Sequence, residues 1–355
     1  MRMLISYLYC NKGGVTSVIK QRMPGILKNG WIVDAAFVKD HGGKLDLINS
    51  GVNEVFLFDF HFKNSVQKLL KEGNYDLHVI FDAPELLNFE TQKKTKVIFE
   101  IHTPILTTIK KYKSDKLNNC DAILVPSKWS KETICDLVPG VYPDKIKVIP
   151  NIVDEKIFNI KGYSYSISNT MIWVGKLAEY KNWKEAMKIG GLFIQNHPSW
   201  QFLAVTGGLI NKEDTSSMLQ EFISLDNISK FRWLHNLNHE DMGKLYRGAA
   251  KTGGFLLSTS KAESFCLVVH EAMRCGLPVV SSNIGPLPEI VEDGVSGFLY
   301  ELGDIKTAVN NSNLYLNKEL RDKIISEGFN KLSSFDQSAI EEEYMKAINE
   351  VLENI

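Results

Sequence analysis

From Gly254 to Ser281 the chain reads GFLLSTSKAESFCLVVHEAMRCGLPVVS. An apolar, β-prone run over Gly254–Ser258 gives way to a polar loop, then to a helical pattern over Ser264–Arg274, then to a second apolar run over Pro278–Ser281. Gly276 just past the helix, with Pro278 beyond it, is a regular C-terminal stop signal. Strand, loop, helix and strand in one such stretch make a βαβ unit, which commits its strands to a parallel sheet.

Working outward, the same cadence fills the chain. Ahead of this unit the pattern predicts strands at Met171–Val174, Gln201–Val205 and Phe231–Leu234, with helices at Trp183–Gln195, Thr215–Leu225 and Asp241–Ala250 between them. A separate series opens the chain, with strands at Met3–Tyr9, Trp31–Val38, Glu54–Phe58, Leu77–Phe81, Val97–Ile101, Ala122–Pro126 and Lys147–Ile149. Helical patterns lie between several of these, at Thr16–Leu27, Lys63–Glu72 and Ser130–Leu137. The strand-poor connector 151–168 separates the two series. The expected architecture is therefore α/β with two Rossmann-like, doubly wound domains, residues 1–160 and 161–336, and a single (β/α)₈ barrel is the alternative. Over Gln337–Leu352, apolar Ile340, Tyr344, Ile348, Val351 and Leu352 form one stripe, which predicts a helix (337–355) packing back onto the first domain.

Composition narrows the function classes. With 355 residues, 44% hydrophobic and 23% charged, the chain is an ordinary globular protein, and its length favours two cores. Lys+Arg 41 against Asp+Glu 42 leaves no global basic field, so nucleic acid is not an expected partner. One local bias stands out: Lys93, Lys94, Lys96, Lys110, Lys111, Lys113 and Lys116 crowd one stretch of the first half. That Lys93–Lys116 cluster fits an anionic membrane surface or an acidic acceptor as well as it fits plain solvation. Cys10, Cys120, Cys135, Cys266 and Cys275 form no C-x-x-C pair and are odd in number, which suits a reducing compartment. No apolar run approaches membrane-spanning length, so the expected location is the cytoplasm, at most peripheral on the inner membrane face.

Four groups of residues could carry chemistry. If the helix begins at Ser264, the N–H groups of Phe265, Cys266 and Leu267 leave its first turn unbonded, at the positive end of the helix dipole, where an anion binds. Glu271 lies about 7–9 Å further along at 1.5 Å per residue, near the span from a diphosphate to its ribose, while Glu263 flanks the other side of the phosphate site. Alone, each carboxylate is as easily a dipole complement or a solvated helix residue; paired, they read as ribose and sugar contacts. Lys176 and Lys181 sit on the loop after a strand, at the sheet edge where such folds bind ligands. Gly13-Gly14 follows the first strand and His102 ends another, and by themselves both are as readily structural.

Glu263-x₇-Glu271, Gly276-x-Pro278 and the stretch Gly285-Pro286-Leu287-Pro288-Glu289-Ile290-Val291 through Gly297 resemble the signature of family-four retaining glycosyltransferases. The resemblance is densest over 254–303. It implies the GT-B fold, two Rossmann-like domains facing a central cleft, and transfer of a sugar from a nucleotide-diphosphate donor, most simply a UDP-sugar. The Lys93–Lys116 cluster then points to a hydroxyl of a glycan or lipid-linked acceptor, in surface polysaccharide or glycoconjugate synthesis. The resemblance further implies retention of anomeric configuration. No Asp-x-Asp motif sits at a strand end to hold a divalent ion, so neither a metal nor a cofactor is expected. His102, Lys176, Lys181 and Glu263 then become catalytic candidates. Gly13, Gly14, Ser264, Phe265, Cys266, Leu267 and Glu271 become donor-binding ones. Ser127-Lys128 and Asn151 resemble further family positions near the cleft and hinge. Three positions depart from the pattern: Lys176 stands for an Arg, Cys266 for a frequent Gly, and Pro286 interrupts a Gly-Gly. The rival readings are a sugar-nucleotide epimerase of the same fold and a catalytically silent GT-B scaffold subunit.

Overall fold

The computed structural model describes residues 1–87, 95–208, 212–223 and 228–353. Lys93 and Lys94 of the lysine-rich stretch, and the end of the expected helix at Leu225, lie outside them.

The chain forms two compact units, Met1–Ile152 with Gln337–Ile355, and Val153–Asp336. The first contains β1 (Arg2–Asn11), β2 (Ile32–His41), β3 (Glu54–Leu57), β4 (Leu77–Phe81), β5 (Lys96–Glu100), β6 (Ala122–Val125) and β7 (Ile146–Val148). The second contains β8 (Thr170–Gly175), β9 (Gln201–Thr206), β10 (Phe231–His235), β11 (Phe255–Ser258), β12 (Val279–Ser282) and β13 (Phe298–Tyr300). The strand orders are β3-β2-β1-β4-β5-β6-β7 and β10-β9-β8-β11-β12-β13. Two separate open sheets exclude the barrel. Every named strand pair is parallel, so each return to the sheet is a crossover. The order reverses beside β1 and beside β8, which opens a crevice at the carboxyl ends of β1 and β4 in one sheet and of β8 and β11 in the other.

The boundary falls after Ile152 because Val153 and Phe158 already pack into the second unit's core with Leu245, Tyr246 and Met273. The helix Gln337–Glu353 belongs to the first unit, with Ile340, Tyr344, Ile348 and Val351 buried and Leu352 only partly so. Besides several helices of four to six residues, β13, three residues long, and the helices Ile305–Leu314 and Lys318–Leu332 escape the sequence reading. Both helices carry side-chain caps, Asp304 Oδ1 accepting from Thr307 N at 3.0 Å and Asn317 Oδ1 from Leu320 N at 3.1 Å, and those cap residues are the signal that could have found them. Among the described residues no helix is long and apolar enough to cross a membrane.

Close helix–sheet packing sets the second unit's geometry. In the helix Trp183–Asn196, a Cβ on Gly190 would land 2.3 Å from the Phe202 ring of β9. Gly→Ala in a free helix gains about 1 kcal/mol. Here the clash reverses the sign, and Gly190→Ala lowers unfolding stability by about 1–3 kcal/mol in urea denaturation.

Candidate active site

The second unit's crevice is built from the loops after β8 and β11. The loop after β8 turns through a short helical segment, Glu179–Lys181, into Asn182, which holds a left-handed conformation (φ 52) and starts the helix Trp183–Asn196. Thr259, just past β11, ties the two loops together. Its hydroxyl accepts from the Trp173 indole at 3.1 Å and lies 3.0 and 3.1 Å from the carbonyls of Lys181 and Asn182. Lys261 N donates to Tyr180 O at 2.7 Å.

This brace brings Lys181 and Glu263 together across 82 residues of sequence, Nζ to Oε1 at 2.5 Å. Ser260 Oγ donates to the same oxygen at 2.6 Å, and both of these contacts fall on Oε1, with none to Oε2 among the described residues. Burial works against the Lys181 charge, yet Glu263, helped by Cys266 and Tyr180, raises its pKa above the ordinary lysine value. Lys181 is thus a firmly held cation. Lys176, on the same loop, lies alongside Gly208, and its pKa is lowered by burial and then by the like charge of Lys181. Its charge is more weakly held than that of its neighbour.

The helix expected from Ser264 begins instead at Leu267 and runs to Arg274. Cys266 takes a left-handed conformation (φ 64, ψ 65) that no helical residue adopts, and Phe265 turns inward, stacked on His270 at 4.4 Å and edge-on to Phe335. Ser264, Phe265 and Cys266 therefore form the lead-in, and the unbonded amides of the first turn begin at Leu267 and Val268. The left-handed φ is the physical reason glycine suits position 266.

The Glu271 side chain is buried and makes no hydrogen bond or ion pair among the described residues. Burial alone pushes its carboxyl up to about 8. Next to it in sequence, His270 is buried with its pKa lowered to about 3, by burial and then by Arg274, and it packs as a neutral ring. A carboxyl with capacity for two hydrogen bonds and no partner is suited to a diol.

In the first unit, Gly13-Gly14 follows β1 and caps the helix Val15–Lys28. Gly14 (φ 54, ψ −124) occupies backbone space open only to glycine, and a Cβ at either position would meet nothing within 4 Å, so the loop's backbone is open to an approaching ligand. His102, past β5 on the same carboxyl edge, is buried. Its Nε2 lies 2.9 Å from Glu100 Oε2, its ring tilts on Phe81 at 5.2 Å, and its N–H donates to Asp82 Oδ1 at 2.8 Å. The site roles of Glu100, Arg22, Asp82 and Tyr344 are hidden in the sequence, where Tyr344 reads only as part of an apolar stripe, because their charges and hydroxyl meet only after folding. Ser127 caps the helix Lys128–Leu137, its Oγ accepting from Ser130 N at 3.1 Å, and Asn151 is buried with its Oδ1 unpartnered.

A family model described as "Glycosyl transferases group 1" matches residues 158–331, and one described as "Glycosyltransferase Family 4" matches residues 16–156. The chain belongs to this glycosyltransferase family. The glycosyltransferase is 30% identical over 178 residues to a subunit of human phosphatidylinositol N-acetylglucosaminyltransferase, and the match takes in 50% of its own length and 35% of that relative's. The chain thus spans about a third of that curated relative. It is also 24% identical over 294 residues to an uncharacterized glycosyltransferase of Haemophilus influenzae, covering 76% of this chain and 77% of that one. Among solved structures, Anabaena Alr3699/HepE in complex with UDP and glucose matches with a TM-score of 0.80 at 18% identity, over 99% of this chain and 100% of that one. The fold of the glycosyltransferase is accordingly GT-B.

The Glu271 carboxyl makes a prediction of its own. Its folded pKa of about 8 stands above the unfolded value near 4.5, so the folded state holds the proton more tightly and stability falls as pH rises from about 4.5 to about 8. Glu271→Gln removes that slope: urea denaturation at pH 5 and pH 8.5 should show the variant gaining relative to the parent chain at the higher pH.

Proposed function

We propose that this glycosyltransferase moves a sugar, with retention of anomeric configuration, from a UDP-sugar to a hydroxyl of a glycan or lipid-linked acceptor, and that it does so without a metal ion. The observation that carries the reading is the Lys181 cation held by Glu263 at the second sheet's switch point, close in the chain to an open helix start and an unpartnered Glu271. In the proposed reaction the bond from the anomeric carbon to the β-phosphate oxygen breaks and a bond from that carbon to the acceptor oxygen forms. The acceptor's proton passes to the departing phosphate. Negative charge grows on the diphosphate as it leaves, and groups that meet it there lower the barrier. Lys181 and Lys176 supply that charge, with the amides of Leu267 and Val268. Glu271 accepts the ribose hydroxyls and Glu263 Oε2 takes a hydroxyl of the sugar; in the first unit, Gly13, Gly14 and His102 are the candidates for contact with substrate.

The UDP and glucose named for the Anabaena structure support a UDP-sugar donor, and the phosphatidylinositol in the human relative's name supports a lipid-linked acceptor. A cytoplasmic site on the inner membrane face fits such an acceptor. The exposed Lys110, Lys111, Lys113 and Lys116, with exposed Leu106 beside them, are the surface that would meet anionic lipid.

A panel of UDP-, GDP- and ADP-sugars scored by thermal shift, then by turnover, tests the donor. A UDP-sugar should stabilise most, EDTA should leave turnover unchanged, and the product anomer read by NMR should match the donor's. Lys181→Ala and Glu271→Ala should each cost on the order of 10²-fold in turnover. Retained turnover in both variants, or epimerised donor with no label passed to a second molecule, counts against the reading. Separately, the chain should sediment with vesicles rich in phosphatidylserine. A Lys110/Lys111/Lys113/Lys116→Glu variant should stay in the supernatant, and equal sedimentation of the two would remove the membrane surface from the proposal.

A further inference from the structure

The first unit buries a carboxylate that no part of the donor reading uses. Glu100, the last residue of β5, is fully buried and meets three elements at once. Arg22 Nη1, from the helix Val15–Lys28, donates to Oε1 at 2.7 Å and to Oε2 at 2.5 Å. The Tyr344 hydroxyl, from the carboxyl-terminal helix 244 residues away, donates to Oε1 at 3.1 Å, and the Arg22 guanidinium lies over the Tyr344 ring at 4.2 Å. His102 Nε2 lies 2.9 Å from Oε2.

Burial alone would raise the Glu100 pKa, but Arg22 first, and then His102, bring it below the ordinary carboxylate value. The group is ionised and therefore accepts hydrogen bonds only. A proton on the facing imidazole then sits on Nε2, and in the neutral ring Nδ1 is the acceptor, with no hydrogen bond among the described residues. A buried Arg–Glu pair contributes little net stability against an apolar replacement of the same shape. What distinguishes this one is its third arm, which ends on a histidine at the sheet edge, whose backbone is pinned by Asp82 and whose face rests on Phe81.

We propose that Glu100 is a positioning residue that fixes the tautomer and orientation of His102, and that Arg22 and Tyr344 hold Glu100 for that task. The inference rests on the reading of His102 as a group that meets substrate. It makes the carboxyl-terminal helix part of the site's support as well as of the fold. Nδ1 is the nitrogen presented to a sugar hydroxyl.

The test uses the full chain labelled with ¹⁵N-histidine. Long-range ¹H–¹⁵N spectra, with His102→Ala identifying the signal, should show one His102 tautomer with hydrogen on Nε2, and Glu100→Gln should mix the tautomers. With UDP-glucose as the probe, Glu100→Gln should lower kcat about tenfold or more while KM stays within about twofold. Tyr344→Phe, which removes one hydroxyl and keeps the ring, should show the same split at a few-fold. In the His102→Ala background Glu100→Gln should cost nothing further. An equal loss in both backgrounds, or a raised KM with kcat intact, overturns the role. The spectra need no substrate: a chain that turns over no sugar nucleotide yet loses the Nε2–H tautomer in Glu100→Gln refutes the proposed activity and supports the positioning. An unchanged tautomer overturns the positioning whatever the turnover.

Discussion

A parallel strand can be entered only by crossing over its neighbour, and the crossover keeps one hand. In each sheet of this chain the crossovers run outward one way from the first strand and then restart in the other direction, leaving β1 beside β4 and β8 beside β11. Two loops that would otherwise be covered by a helix diverge at that seam. Lys176 and Lys181 leave β8 on one side of it and Glu263 leaves β11 on the other. In the first sheet Gly13 and Gly14 follow β1, Asp82 follows β4 and His102 follows β5. The candidate residues follow strands at or beside that seam, where parallel winding leaves the loops uncovered.

The buried charges divide by how they are compensated. Glu263 sustains the Lys181 charge against burial, and in the Arg22–Glu100 pair each charge sustains the other. Once formed they are rigid, because separating either pair strands a charge in a poorly solvated place. Glu271 differs: with no partner, its cheapest state is to keep its proton. The second unit thus combines one prepaired cation with one carboxyl whose hydrogen-bonding capacity is unspent, a combination that suits a ligand carrying both anionic and hydroxyl groups. Cys266 adds a backbone constraint. A non-glycine residue held at φ 64 marks where the chain turns sharply to bring the helix start to the crevice.

Much of this is legible before folding. The alternation of apolar runs and amphipathic stretches yields the α/β class and most of the strands, and Glu263, Glu271 and Lys181 stand out by their spacing within βαβ units. The helix start is displaced from its expected place because Ser264 makes a good cap in sequence, while the packing of Phe265 on His270 and the left-handed Cys266 delay the first turn to Leu267. β13 is invisible in the sequence because three residues carry no period.

Periodicity and local turn chemistry are written residue by residue, so the sequence by itself determined the element types, the two series and the candidate carboxylates and lysines. Which strand lies beside which, and therefore that Lys181 meets Glu263 and that Tyr344, Arg22 and His102 converge on Glu100, was decided only by the tertiary structure. Those partners stand 82, 78 and 244 residues apart in the pairs 181–263, 22–100 and 100–344, and no local pattern records a contact that sheet order and helix packing create.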